Sequence, residues 1–247
     1  MKTVLITGCS SGYGLETARY FLSQGWNVIA TMRNSRPELL PLSDKLRVLE
    51  LDVTKAESIA TLLQQCGPVD VLVNNAGIGL FGAAEATPMS TVREVFETNT
   101  FAMIAMTQAV IPQFRAQKSG MIINVTSSSV LAPMPLVAVY TASKTATEGF
   151  TSSLAFELKP FNIEVKLVQP GYGPTTRFTA NGAERMQGLI PQDYASYVQE
   201  VFAAFTQVST FTKETDVAET IWRAANDTSG QLRFAAGADA VALSELQ

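Results

Sequence analysis

Tyr140 and Lys144 stand four residues apart in Tyr140-Thr141-Ala142-Ser143-Lys144, within a stretch whose pattern predicts a helix over 138–159. Four residues is about one helical turn, so the spacing predicts both side chains on one face. A free tyrosine, with a pKa of about 10, is a poor base at neutral pH, and a neighbouring ammonium favours the phenolate. A lone pair of this kind is also what an exposed helix face carries. Ser127 adds weight: it closes the strand pattern Ile122–Val125, thirteen positions before Tyr140. A strand end and a helix start can meet at one rim of a sheet, where the Ser127 and Tyr140 hydroxyls would both reach one substrate oxygen. Ser128 and Ser129 are rivals, as ordinary loop-turn residues. The chain contains no histidine, which removes Ser-His-Asp and Cys-His triads and the usual zinc-hydrolase sites. Acid/base chemistry near neutral pH therefore falls to Tyr, Lys, Asp, Glu or Cys. Two cysteines, Cys9 and Cys66, have neither zinc spacing nor a disulfide framework, and no metal site is expected.

Thr7-Gly8-Cys9-Ser10-Ser11-Gly12-Tyr13-Gly14 follows the first strand pattern and opens a helix. Gly8 would permit the turn, Gly12 a close approach of backbone to phosphate, and Gly14 tight helix–strand packing. The helix N-terminus offers N–H groups and the positive end of a dipole to a pyrophosphate. The spacing is Gly-x3-Gly-x-Gly rather than Gly-x-Gly-x2-Gly, so its position between strand and helix carries the reading. An NAD site expects a carboxylate about 20 residues on; here that place holds Met32 with Arg33 beside it. A guanidinium can pair with a 2′-phosphate, which points to NADP(H) over NAD(H). Asp52, followed by Val53, could accept a hydrogen bond from an adenine amino group, or act as a helix cap, a role that Thr54 suits better.

These residues need a scaffold. Short apolar runs at Val4–Ile6, Val28–Ala30, Val48–Leu49, Val71–Val73, Ile122–Val125 and Val165–Val168 alternate with helical patterns at 14–24, 56–66, 88–117 and 138–159. Thr87-Pro88 reads as a cap and first residue of the third helix. Alternation of this kind predicts an α/β fold: a Rossmann-type, doubly wound parallel sheet in a single domain, 1–247. From about Tyr172 to Phe211 no strand is evident, and the segment is rich in aromatics. An insertion after a late strand is placed to cover a site beyond the strand ends, a helical substrate lid. The length of 247 residues, 47% hydrophobic and 16% charged, supports a large core rather than disorder. A net charge of -4 with no Lys/Arg run argues against nucleic acid as partner. No apolar run reaches the ~18 residues of a membrane span, and Met1–Ile6 leads straight into the glycine loop, which predicts a cytoplasmic protein without a signal peptide. The mean hydropathy of +0.15 hints at apolar surface buried in a pocket or between subunits.

Taken together, the sequence resembles the short-chain dehydrogenase/reductase family over nearly its whole length. The resemblance rests on the Thr7–Gly14 loop, Asn74-Asn75-Ala76-Gly77, Asn99, Ser127, Tyr140-x3-Lys144, and Pro170-Gly171 followed by Thr175. It implies that Tyr140 protonates a carbonyl oxygen as hydride arrives from nicotinamide, that Ser127 holds that oxygen, and that Lys144 binds ribose and tunes Tyr140. Asn99 would position a water linking Lys144 to solvent, unless its side chain merely satisfies helix backbone. Asn74, Asn75, Ala76 and Gly77 would pass under the cofactor, and Pro170, Gly171 and Thr175 would border the carboxamide. Some NADP users of the family carry Arg or Lys inside the glycine loop; Cys9, Ser10 and Ser11 stand there instead, so the cofactor reading rests on Arg33. The resemblance also implies a homodimer or homotetramer, with Ala142, Ala146, Thr147, Phe150, Leu154 and Phe156 either at a contact or in the core.

The leading expectation is a small-molecule ketone or aldehyde reductase, a carbonyl reductase. Met134, Leu136, Tyr172 and Phe178 would line an apolar pocket for bulky or aromatic substrates, although an amphipathic lid helix uses such residues merely to pack. A 3-oxoacyl thioester reductase and a hydroxysteroid- or retinol-type dehydrogenase would use the same residues. A cofactor-sensing regulator without catalysis is the alternative from another class, disfavoured by the presence of all four chemical residues.

Overall fold

The computed structural model describes residues 1–176, 178–206 and 210–246, with the side chains of 178–181, 205 and 206 left aside. Seven strands form one parallel sheet: β1 (Thr3–Ile6), β2 (Asn27–Met32), β3 (Leu46–Glu50), β4 (Val71–Asn74), β5 (Gly120–Val125), β6 (Ile163–Pro170) and β7 (Arg233–Ala236). Their spatial order is β3-β2-β1-β4-β5-β6-β7. The winding reverses between β1 and β4, where Leu5 pairs with Leu72 and Ile6 with Val73. Such a reversal opens a crevice beyond the carboxyl ends of the strands. The expected α/β, doubly wound fold is therefore the observed one.

Helices cover both faces because the strands are apolar on both. Val4 and Ile6 point into one core, with Phe21 of α1 (Gly12–Ser23) and Val217 and Ile221 of α8 (Glu214–Asn226); Leu5, between them, points into the other. There it meets Met106, Val110 and Phe114 of α4 (Ala102–Gln117), Leu62 of α2 (Ala56–Cys66), and Leu154 and Leu158 of α5 (Ala138–Leu158). Phe21 packs edge-on against Trp26 and Trp222, ring centres 5.2 and 5.0 Å away, fastening α1 to α8.

Three sequence expectations change. The helix over 88–117 is α3 (Met89–Phe96) and α4 joined by a π-helical turn, Glu97–Phe101, which contains Asn99. Its cap is Pro88 without a side-chain bond; the Thr87 hydroxyl instead donates to the Ala83 carbonyl at 2.9 Å. Thr54 does not cap α2 either: Lys55 holds that place, and Thr54 donates to Asp52. Beyond β6, the strand-free region contains α6 (Phe178–Met186) and α7 (Ala195–Thr206). β7, α8 and the closing helix α9 (Ala238–Ser244) complete the order.

Candidate active site

Ser127 follows β5 and caps a short 3-10 turn, its Oγ accepting from the Ser129 N–H at 3.2 Å. Its hydroxyl also hydrogen-bonds Tyr140, in the first turn of α5. Its rivals Ser128 and Ser129 are both buried. Burial pushes the Tyr140 phenol up to about 12, with the Ser127 bond pulling the other way. Lys144 lies one turn on, 5% exposed, its Nζ 6.0 Å from the centre of the Tyr140 ring. Nζ donates to the Val125 carbonyl at 3.0 Å, which ties α5 to the end of β5. Burial lowers the Lys144 ammonium to about 8. The sequence argument stressed the pull of Lys144 on Tyr140; in the folded protein desolvation is the larger influence on each.

Asn99 uses the π turn to face out of its helix. Its Oδ1 accepts from the Ile78 N–H at 2.8 Å, and its Nδ2 donates to the Ile78 carbonyl at 2.9 Å and to Ser143 Oγ at 3.1 Å. A β-carbon on Gly77 would stand 3.2 Å from Asn99 Oδ1 and 3.4 Å from Lys144 Nζ, so both side chains converge on that glycine. Asn74 departs from expectation: its amide bonds Thr107 and Asn124 inside the core rather than lining the crevice.

The glycine loop is shaped for close approach. Gly8 and Gly12 have φ of 76° and 56°, a region that favours glycine. A β-carbon on Gly14 would strike Asn75 Nδ2 and the Gly8 carbonyl, and one on Gly8 would lie 2.8 Å from Ala76 Cα. Asn75 and Ala76 are pinned to the loop by their N–H groups, each donating to Thr7 Oγ1 at 3.0 Å. Ser11 precedes α1 without a side-chain cap. Cys9 is buried and its thiol is pushed up to about 12 by desolvation, so it is inert packing beside the loop.

At the carboxyl ends of β2 and β3, Arg33 is exposed just past β2. Arg36, which the sequence reading passed over, reaches back so that its guanidinium donates to the Ser10 carbonyl at 3.2 Å. Its position in an irregular segment gave no periodic signal. Burial opposes ionisation of Asp52, but hydrogen bonds from the Thr54 hydroxyl and N–H, with Arg33 and Lys55 nearby, hold its carboxyl below the usual range. Val53 is half-buried against the core beside it.

Tyr140 belongs to a separate apolar cluster with Leu80, Val95, Val137 and Leu189, flanked by Phe81, Met134 and Met186. Met134 is half-buried against this cluster. Leu136 is half-buried with φ of 62°, its carbonyl accepting from the Gly82 N–H at 2.8 Å. Tyr172 is 41% exposed, and the side chain of Phe178 lies outside the described residues. Leu80 and Phe81 come from the segment between β4 and α3, and Val95 from α3 itself; no periodicity in the sequence joined them to Tyr140. The α6–α7 region docks on the same elements: the Ala83 N–H donates to the Leu189 carbonyl at 2.9 Å, Arg185 pairs with Glu94 of α3 at 2.6 Å, and the Phe202 ring lies 5.3 Å from that of Phe81. Among the described residues there is no cluster of three or more His, Cys, Asp or Glu that could hold a metal, and no helix long and apolar enough to cross a membrane.

Residues 2–186 match the short chain dehydrogenase family. Retinol dehydrogenase 8 of Bos taurus is 43% identical over 182 residues, 69% of this chain and 58% of that enzyme, so the chain spans well under two thirds of that relative. The crystal structure of a short-chain dehydrogenase from Streptomyces avermitilis superposes with a TM-score of 0.82 at 33% identity, covering 99% of this chain and 92% of that one. A serine dehydrogenase in its closed form, complexed with NADP+, superposes with a TM-score of 0.77 at 27% identity, covering 94% and 93%. The match over most of the chain and the superposition of the whole fold agree: the chain belongs to the short-chain dehydrogenase family, as an oxidoreductase acting on alcohols or carbonyls with a nicotinamide cofactor.

Proposed function

We propose that this protein is an NADP(H)-dependent carbonyl reductase, acting reversibly on bulky apolar or aromatic ketones and aldehydes. The observation that carries the reading is the Ser127–Tyr140 hydroxyl pair, backed by Lys144 and set against the Leu80, Val95, Val137 and Leu189 cluster. The residues of the crevice fit a dinucleotide: three glycines leave room that a β-carbon would fill, and the start of α1 faces it. When bound, NADPH supplies the hydride. Tyr140, protonated at neutral pH because burial raises its phenol, gives its proton to the carbonyl oxygen. Ser127 donates a hydrogen bond to the same oxygen and stabilises its developing charge. Lys144 holds ribose hydroxyls and offsets the phenolate that remains on Tyr140. Asn99 places a water between Lys144 and solvent to return the proton. Gly8, Ser10, Ser11, Gly12, Tyr13 and Gly14 hold the pyrophosphate, Asp52 and Val53 the adenine, and Asn75, Ala76 and Gly77 the ribose side.

The NADP preference rests on Arg33, reinforced by Arg36 beside Ser10, and the NADP+ complex of the serine dehydrogenase supports it. The lid, 172–211, closes an apolar pocket with Met134 and Leu136, and the likeness to a retinol dehydrogenase supports an apolar substrate. The same likeness supports a second reading, oxidation of a large apolar alcohol by the same residues in reverse. The chain works as a homodimer or homotetramer in the cytoplasm. The test is turnover of aryl, alicyclic and small polar ketones, a 3-oxoacyl thioester and retinol, in both directions, with NADPH/NADP+ and NADH/NAD+. Apolar carbonyls reduced best with NADPH support the proposal. Equal efficiency with NADH, or faster turnover of small polar ketones, overturns its finer terms.

A further inference from the structure

Residues beyond 186, where the family match ends, converge on the loop that follows β6. The Tyr172 peptide is gripped at both ends: its N–H donates to Asp239 Oδ2 at 2.6 Å, and its carbonyl accepts from the Thr212 N–H at 2.7 Å. The Thr212 hydroxyl is fully buried and donates to Asp239 Oδ1 at 2.6 Å, with the Ala236 carbonyl at 3.1 Å. One carboxylate at the start of α9 thereby satisfies two donors on two other segments. Space confirms the fit. A β-carbon on Gly171 would collide with the Asp239 carboxylate, and one on Gly237, whose φ is 94°, with the Thr212 hydroxyl. A third contact comes from the start of α8, where Thr175 Oγ1 donates to Glu214 at 3.0 Å. On its other side the loop leans on the phosphate loop: the Tyr13 hydroxyl fills the space that a β-carbon on Gly173 would take, and Gly12 faces Thr176.

We infer that Asp239 is a positioning residue for the nicotinamide half of the cofactor, acting through Thr212 and the Tyr172 backbone to set the height of the 171–175 loop. The inference rests on the reading of that loop as the border of the carboxamide. Donors to a carboxylate make the stronger hydrogen bonds, and a loop held at three points is already in place when the ligand arrives, which lowers the cost of ordering it. Because Thr175 donates its only hydroxyl proton to Glu214, its oxygen can serve a ligand only as an acceptor, which suits a carboxamide N–H. The adenosine half, held at Arg33, Arg36 and Asp52, has no part in this clamp.

Binding separates the two halves. Titration calorimetry of wild type, Asp239→Asn and Thr212→Val would use NADPH and its adenosine fragment, adenosine 2′,5′-bisphosphate; should the wild type favour NADH, the pair is NADH and ADP. Asn at 239 keeps one acceptor oxygen and loses the other; Val at 212 keeps the shape and the N–H and loses the hydroxyl. The expected result is a rise in the whole cofactor's Kd of about tenfold for Asp239→Asn and several-fold for Thr212→Val, with fragment binding unchanged. Equal weakening of both ligands would mean that the clamp is only structural, and no change in either would mean that it does not set the loop; either result overturns the inference. If Asp239→Asn does not fold, Thr212→Val decides alone. A wild type that binds neither cofactor removes the dinucleotide reading itself, and the inference with it.

Discussion

Lys144 is a buried ammonium, held at a cost in stability. Its folded pKa of about 8 lies below the unfolded value of 10.5, so the unfolded chain keeps its proton to higher pH. The penalty is therefore full below about pH 8 and fades as pH rises toward 10.5. A shift of that size corresponds to roughly 3 kcal/mol, against about 1 kcal/mol for the Val125 bond that a substitution forfeits. Lys144→Met should abolish turnover yet raise the melting temperature at pH 7, and a lower one would contradict this reading. The same titration predicts that carbonyl reduction slows as pH rises past about 8, while Tyr140, raised to about 12, stays an acid throughout; a flat pH–rate profile to pH 10 would count against a charged Lys144. At the other end of the crevice, Arg33→Ala and Arg36→Ala should each raise the KM for NADPH, by about tenfold if each loses one charge-assisted bond worth ~1.5 kcal/mol, and leave the KM for NADH alone. Tyr140, Lys144 and Ser127 were legible in the sequence because one helical turn and one strand end fix their relation. Arg36 was not, since its partner is a backbone carbonyl 26 residues away that no pattern marks.

At the scale of elements, periodicity located most strands and helices because each buries apolar residues at its own repeat. It could not see the π turn at Glu97–Phe101, where one extra residue per turn leaves the apolar pattern of the long helix intact while swinging Asn99 toward Ile78. It also passed over β7: Arg233-Phe234-Ala235-Ala236 lacks β-branched residues and is a strand through its pairing with β6. Leu189, between α6 and α7, packs tightly on Gly82. A β-carbon there would lie 2.6 Å from Leu189 Cβ, between the α6–α7 region and the β4–α3 segment. Gly82→Ala should lift Leu189, raise the KM for bulky ketones several-fold and cost about 1–3 kcal/mol of stability, with NADPH affinity unchanged. Steady-state kinetics alongside NADPH titration checks this; an unchanged KM would show that Leu189 does not roof the substrate.

For the whole molecule, fold class followed from the alternation of strands and helices, and the reversal of winding between β1 and β4 opens a crevice beyond the carboxyl ends of the strands. Subunit contacts depend on a surface that no single chain explains. Of the six α5 residues considered for a contact, Thr147 and Leu154 are core, whereas Ala142 and Phe156 are exposed, Phe156 to 81%. Phe101, at the end of the π turn, is 54% exposed as well. Large apolar side chains scattered singly on a surface are ordinary, whereas grouped ones mark an interface; if Phe156 and Phe101 belong to one contact, sedimentation should give a dimer or tetramer of the 26.6 kDa chain, and Phe156→Glu should shift it toward monomer. A monomeric wild type would contradict the assembly. The proposed reaction turns on a proton passed from Tyr140 to a substrate oxygen. Its most direct test is single-turnover reduction of an aryl ketone by NADPH at pH 7, in wild type and Tyr140→Phe, with NADPH affinity measured on both. The account predicts unchanged NADPH affinity and a rate reduced by at least about a hundredfold; a variant that binds NADPH and reduces the ketone at the wild-type rate would contradict it.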